Sequence, residues 1–206
     1  MIYVIVGLIA YCIGSISFSV IITKKMAGFD VRDKGSKNAG STNVLRTAGK
    51  KAGALTLLCD VLKGVISVLI AYIIAKIFPE ENGALLLQIA GIAVVVGHTF
   101  PVFFQFKGGK GIATSLGVLL IMNWQIGLIC LVFALILMAL TRMVSIGSIL
   151  AAILFPVLTI FISNNYLIPG NYIIFGICIA LLVIYNHREN VQRILSGKEN
   201  KLSFNK

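Results

Sequence analysis

The sequence predicts an all-α, polytopic membrane protein: a bundle of seven transmembrane helices over residues 1–206, one integral-membrane domain, with the N-terminus outside and the C-terminus cytoplasmic. Three observations predict it. Of the 206 residues, 58% are hydrophobic and only 12% charged, with mean hydropathy +0.98, a membrane composition rather than a soluble one. Apolar runs of spanning length recur along the chain. The cations crowd into alternate loops, and such loops belong on the cytoplasmic side.

The first span covers about residues 2–23. It lacks a basic leader and runs on into serines rather than a small-residue cleavage site, so it reads as a mature helix. Ser15 and Ser19 share a face at i,i+4, which favours close helix packing over substrate contact. Residues 24–51 form a polar loop with eight cations against Asp30 and Asp33. The second span, 52–77, carries Asp60 and Lys63 one helical turn apart and able to pair. Ionisable residues inside a span mark function by default, although a structural pair near the headgroups fits almost as well. A short acidic turn, 78–83, leads to the third span, 84–96.

From Ile112 to Leu140 the chain is apolar except at Met122-Asn123-Trp124-Gln125. One helix of that length at ~1.5 Å per residue would overshoot a ~30 Å hydrocarbon core. The stretch therefore divides into a fourth span to Met122 and a fifth over 125–141. A basic junction, 142–145, precedes the sixth span, 146–162. An uncharged turn, 163–170, precedes the seventh, 171–185, and a basic tail follows. The basic loops then all fall on one face: 24–51, Lys107 with Lys110, Arg142, and the tail with Arg188, Arg193, Lys198, Lys201 and Lys206. They share that side only if 112–140 is split.

The net charge of +11 does not indicate nucleic acid, because the charges sit in short loops between spans. The four cysteines lie in apolar stretches without ligand spacing, so neither a disulfide framework nor a zinc site is expected.

The central stretch runs from Gly97 to Thr114 and holds three glycines and two lysines in the five positions 107–111. Glycine lets backbone N–H groups approach a ligand, successive N–H groups form an anion site and lysine adds charge. A helix opening at Ile112 would add its N-terminus. The stretch reads as a phosphate-binding loop at a membrane surface, with Lys107, Lys110 and the N–H groups of Gly108, Gly109 and Gly111 as donors. A flexible, topology-setting turn is the plainer reading, and the Walker pattern is absent. The second cluster, 34–46, alternates hydroxyls, amides and cations with glycine, a composition suited to a phosphorylated polyol; a solvated basic loop is its plainer reading. The third is His187-Arg188-Glu189-Asn190, which places His187 and Asn190 at i,i+3.

Together these clusters resemble the acyl-phosphate-dependent glycerol-3-phosphate acyltransferases, the PlsY family. The resemblance rests on Gly97-His98-Thr99-Phe100-Pro101-Val102-Phe103 leading into Phe106-Lys107-Gly108-Gly109-Lys110-Gly111. Lys34-Gly35-Ser36, Asn38, Thr42-Asn43 and Arg46, and His187-Arg188 with Asn190, complete it. Gly14-Ser15-Ile16 and Asp60-x-x-Lys63-Gly64 extend it over nearly the whole chain. Lys37, Ser41, Ser17 and Asn186 depart from the family's usual residues; at Lys37 the family usually has glycine. The resemblance implies seven spans in a bacterial-type plasma membrane and an active site on the cytoplasmic side. It implies lysophosphatidate synthesis in phospholipid synthesis, from acyl phosphate and glycerol 3-phosphate, with the latter at the glycine-rich motif.

On that basis Ser36, Arg46, Lys107, His187 and Asn190 are expected to be catalytic. Asn38, Thr42, Asn43, Gly108, Gly109, Lys110, Gly111 and Ser145 are expected to bind substrate. Arg46 suits bidentate phosphate recognition, whereas lysine acts as a point charge. His187 can be a general base or a neutral donor that positions substrate; positioning is preferred, since the acyl phosphate's own oxygen can take the hydroxyl proton. His98 is expected to be structural. The chemistry calls for no cofactor and no metal, and the protein is expected to act as a monomer among membrane lipid. An organic-phosphate transporter is the alternative, but it would need polar residues along a path to the outer face or paired halves.

Overall fold

The computed structural model describes residues 1–162 and 166–202. Every regular element among them is a helix. The chain divides into two compact units, residues 1–122 and 123–206.

In the first unit the expected opening span is two helices, α1 (Ile2–Gly14) and α2 (Phe18–Ala27). The break at 15–17 exposes carbonyls that a continuous helix would use. Lys63 takes them: its ammonium donates to the carbonyls of Gly14 at 2.9 Å and Ile16 at 3.0 Å. A broken helix in a membrane needs such partners, because no water satisfies the freed backbone. Ser15 and Ser19 therefore do not share one helical face. Ser15 sits in the break, where its hydroxyl accepts the Val102 N–H at 3.3 Å.

Residues 24–51, expected as a loop, are largely ordered structure. Gly28, at φ +73, ends α2 in the left-handed region. A 3₁₀ turn follows at Val31–Asp33. Helix α3 (Ser41–Ile77) then begins eleven residues before the expected span and bends at Gly49, whose φ of 89 and ψ of 176 are not helical. The apolar residues buried in the polar stretch explain this order. Val31, Ala39 and Val44 join Val20, Ile22 and Ala52 in one cluster, with Phe18 and Phe104 packed against it.

Helix α4 (Gly83–Thr99) packs on α1 and α3, and α5 (Ile112–Met122) packs on α3. Glycines set the distances: a Cβ on Gly14 would strike the Val94 carbonyl, one on Gly64 the Thr114 carbonyl, and one on Gly117 the Val61 carbonyl. Small residues at crossings are how membrane helices pack closely.

The second unit begins where the split is expected. Asn123 caps α6 (Trp124–Thr141), its Oδ1 accepting the Ile126 N–H at 3.2 Å. Helix α7 (Val144–Phe161) packs on α6 and on α8 (Ile173–Asn186). A short amphipathic helix, α9 (Arg188–Leu195), is the last helix among the described residues. Residues 163–165 of the expected outer turn, Asn165 among them, and Lys206 of the tail lie outside the described residues.

Among the described residues, five helical segments are long and apolar enough to cross a membrane: 2–27, α3, 83–104, α6 and α7. Helices α5 and α8 are shorter and apolar. The protein is a multi-pass integral membrane protein.

Candidate active site

In the first unit two segments carry predicted residues. The earlier one is held by its own side chains. Asn43, 2% exposed, accepts the Ser36 N–H on Oδ1 at 2.9 Å. Its amide nitrogen faces the carbonyls of Val31, Lys34 and Asn38 at 3.0–3.1 Å. Both ends of the amide are thus used within the segment. Asn43, expected to contact substrate, shapes the turn that presents Ser36. Gly35, at φ +59, lies flat against this amide, and a Cβ there would strike Asn43 Oδ1. Ser36 and Arg46 are exposed, Asn38 and Thr42 half-buried. Asp30 accepts three hydrogen bonds from Arg32, at 3.0 Å from the backbone N–H, 3.0 Å from Nε and 2.8 Å from Nη2. The Arg32 guanidinium holds the Asp30 carboxyl down at about 2.

The central segment is held by backbone. After α4, a 3₁₀ turn at Val102–Phe104 leads into Gln105 and Phe106, both left-handed at φ 59 and 57. The Gly108 N–H then donates to the Thr99 carbonyl and the Gly109 N–H to the His98 carbonyl, each at 3.1 Å. These two N–H groups, expected as donors to phosphate, here cap α4. A Cβ on Gly109 would strike His98 Nε2 and lie 2.8 Å from the Ala39 carbonyl. Both glycines are needed for close packing.

Donors for an anion come instead from the next element. Gly111, at φ +85, turns the chain into α5, whose first-turn N–H groups have no intrahelical acceptor. The Thr114 and Ser115 hydroxyls in that turn are buried, with no hydrogen-bond partner among the described residues. Lys107 is exposed and Lys110 half-buried just before it.

Behind this loop lies a buried ionic chain. Asp60 Oδ1 stands 3.1 Å from Lys63 Nζ and 3.5 Å from His98 Nδ1. The side chains of Asp60 and Lys63 are each 2% exposed, so the pair is shielded inside the protein. It ties the α1 break to the end of α4, where His98 is buried against Asp60.

In the second unit, His187 is the joint between α8 and α9 rather than a helical residue, and Asn190 lies in the first turn of α9. His187 Nδ1 is 2.8 Å from the Val183 carbonyl. A carbonyl can only accept, so Nδ1 carries the proton. A neutral ring then presents Nε2 as an acceptor.

Ser145 and Asn190 converge on a residue the sequence reading missed. Glu199 accepts from Ser145 Oγ at 3.0 Å and Asn190 Nδ2 at 2.8 Å on one oxygen, and from Arg193 Nε at 3.0 Å on the other. Its side chain is 4% exposed. Desolvation pushes this carboxyl up, but the hydrogen bonds from Asn190, Arg193 and Ser145 outweigh it and leave it below its ordinary value.

Residues 4–197 match the family model described as glycerol-3-phosphate acyltransferase. The chain belongs to the glycerol-3-phosphate acyltransferase family. The family's relatives include the glycerol-3-phosphate acyltransferase of Clostridioides difficile (strain 630), 44% identical over 99% of this chain and 97% of that one. That of Thermoanaerobacter sp. (strain X514) is 46% identical over 97% and 95%. The crystal structure of PlsY (YgiH), an integral membrane glycerol 3-phosphate acyltransferase, in its glycerol 3-phosphate form, superposes with a TM-score of 0.86 at 39% identity, over 98% of this chain and 96% of that one. Its lysophosphatidic acid form gives 0.84 at 38%.

Membership in the glycerol-3-phosphate acyltransferase family makes the chain an enzyme, an acyltransferase, and sets aside the transporter reading. The motif resemblance identifies the same family. Lys37 now has a physical reading: it sits at φ 59, a left-handed conformation that favours glycine, where the family usually has glycine.

Proposed function

We propose that the protein transfers the acyl group of an acyl phosphate to the sn-1 hydroxyl of glycerol 3-phosphate, giving lysophosphatidate and inorganic phosphate. The hydroxyl oxygen attacks the acyl carbon. The new ester bond forms as the bond to the phosphate oxygen breaks, and the phosphate leaves with the electron pair. One observation carries the reading: the α5 N-terminus opens behind Lys107 and Lys110, with buried, unpartnered hydroxyls in its first turn. This is an environment for a phosphate dianion. Family membership and the likeness to a glycerol 3-phosphate form support the choice of acceptor.

In this reading Lys107, Lys110, Gly111 and the first turn of α5 hold phosphate, and Gly108 and Gly109 shape the loop. Arg46 forks onto a phosphate, and Ser36 contacts the reacting groups with Asn38 and Thr42 beside it. Asn43 acts through Ser36. His187 Nε2 accepts the acceptor hydroxyl and orients it, while the departing phosphate takes the proton. Asn190 and Ser145 contribute polar contacts, ordered by Glu199. The whole chain, residues 1–206, acts as one catalytic domain, as a monomer and without cofactor, among membrane lipid.

In this reading the two shorter apolar helices join the five long segments as the seven spans of the bundle. With the basic loops inside, the N-terminus is outside, and the active site faces the cytoplasm of a bacterial-type plasma membrane. Single cysteines at Lys37, Lys107 and Lys198, all exposed, are then labelled only from the cytoplasm, and one at Asn82 only from outside.

The acceptor tests the function. Purified protein in lipid, supplied with acyl phosphate, should esterify glycerol 3-phosphate and leave glycerol untouched. Equal rates with both acceptors would remove the phosphate from the reading. Replacing Arg46 by Lys should fail to restore turnover, since the fork geometry is lost.

A further inference from the structure

We propose that Arg32 is a positioning residue for acyl transfer, holding Lys107 at a set place relative to Ser36. The inference rests on the roles proposed above for Lys107 and Ser36.

Arg32 differs from the other cations of its segment. Lys24, Lys25, Lys34, Lys37, Lys50 and Lys51 are exposed, whereas the Arg32 side chain is 18% exposed and fully engaged. Its Nε and Nη2 bond the two oxygens of Asp30. Its Nη1 donates to the Phe104 carbonyl at 2.8 Å, 72 residues along the chain. That carbonyl also accepts the Lys107 backbone N–H at 3.2 Å. One carbonyl therefore joins the Arg32 guanidinium to the Lys107 backbone.

The other side of the joint is equally short. Arg32 lies in the 3₁₀ turn Val31–Asp33. Asn43 holds the carbonyls of Val31 and Lys34, on either side of that turn, and the Ser36 N–H. Arg32 is thus fixed to Ser36 through one amide and to Lys107 through one carbonyl.

The loop needs an outside hold. Between Phe104 and Lys107, Gln105 and Phe106 are both left-handed, a conformation costly for residues with a Cβ. Without Arg32 the Phe104 carbonyl is held only by the Lys107 N–H of the same loop, and relaxation of these two residues displaces Lys107. A planar guanidinium can serve Asp30 and Phe104 at once; an ammonium cannot match that fixed fork. Asp30 is ionised throughout the neutral range, so the clamp is set under working conditions.

The experiment is a double-mutant cycle in the full-length protein in lipid, with acyl phosphate as donor. Arg32→Lys should lower kcat/KM for glycerol 3-phosphate by about tenfold to a hundredfold, the scale of an ångström-sized misplacement. The melting temperature should stay near the parent's. On a Lys107→Ala background the same substitution should change kcat/KM by less than about twofold, because its route of action is gone. Full, multiplicative effects on both backgrounds, or no effect of Arg32→Lys on the parent, would overturn the inference and leave the functional reading intact. Lys107→Ala alone with parental activity would sink the reading and the inference with it. If Arg32→Lys does not fold, Asp30→Asn enters the same cycle. It loosens the fork while keeping the residue's shape, and the same non-additivity is expected.

Discussion

Residues 28–48 and residues 97–111 both interrupt an apolar chain with glycines and cations, yet the first is held by its own side chains and the second by its own backbone, with Ser15 and Arg32 reaching in from outside. In the first, Asn43 and the Asp30–Arg32 pair supply the hydrogen bonds. In the second, the Gly108 and Gly109 N–H groups fold back on the last carbonyls of α4, and no side chain fits where their Cβ atoms would be. The difference determines what each segment tolerates: the first fails when a polar group is removed, the second when any carbon is added.

The largest expected effect is at Gly109. Gly109→Ala forces a methyl against His98 Nε2 and the Ala39 carbonyl. Overpacking of this kind costs about 1–3 kcal/mol or more. Melting in detergent should fall by several degrees, and activity should go with the loop. A variant that melts normally and only raises KM for glycerol 3-phosphate would restore the view that Gly109 makes room for ligand. Next is Asn43→Asp, which keeps the acceptor for the Ser36 N–H but turns a second oxygen towards the carbonyls of Val31, Lys34 and Asn38. Buried unmet groups cost about 1–3 kcal/mol each, so stability and kcat should fall together. Loss of kcat at unchanged stability would mean that Asn43 meets substrate after all.

Glu199 extends the side-chain-held pattern to the second unit. Glu199→Gln keeps the shape but weakens charge-assisted bonds to Ser145, Asn190 and Arg193. A loss of about 1 kcal/mol is expected from the difference between charged and neutral hydrogen bonds; an unchanged melting temperature would refute the anchoring role. The smallest effect concerns pH. Asp30 is lowered from 3.8 to about 2. Its contribution is therefore complete above the ordinary value and is lost only as pH falls through about 2. Melting of Asp30→Asn and parent, compared between pH 8 and pH 5, should keep a constant difference.

The spans were legible because apolar runs and alternating charge are properties of the sequence itself, and Asn123 marked the split in 112–140 by its polarity. The break in α1 was not legible. Three serines suit a packed helix equally well, and Lys63, which takes the freed carbonyls, lies 47 residues beyond Ile16. The order in residues 28–48 was hidden for a similar reason: Val31, Ala39 and Val44 are spaced too irregularly to show a period, and their partners come from other elements. Motif reading found the loop at 107–111 but placed its donors on Gly108 and Gly109, because a sequence does not say which way an N–H points. Glu199 escaped notice as one acidic residue in a basic tail. Its only local signal was Arg193, six positions before it.

Acyl-donor choice tests the functional account most directly. The histidines here lack the His-x-x-x-x-Asp spacing, since Phe103 follows His98 and Gln192 follows His187 at five residues. Neither histidine therefore has an aspartate at that spacing to orient it as a base against a thioester, whereas cations before α5 can stabilise a departing phosphate. Purified protein in lipid with glycerol 3-phosphate should release one inorganic phosphate for each lysophosphatidate formed from acyl phosphate, and form none from acyl-CoA or acyl carrier protein. Lysophosphatidate made from acyl-CoA with no acyl phosphate present would contradict the account.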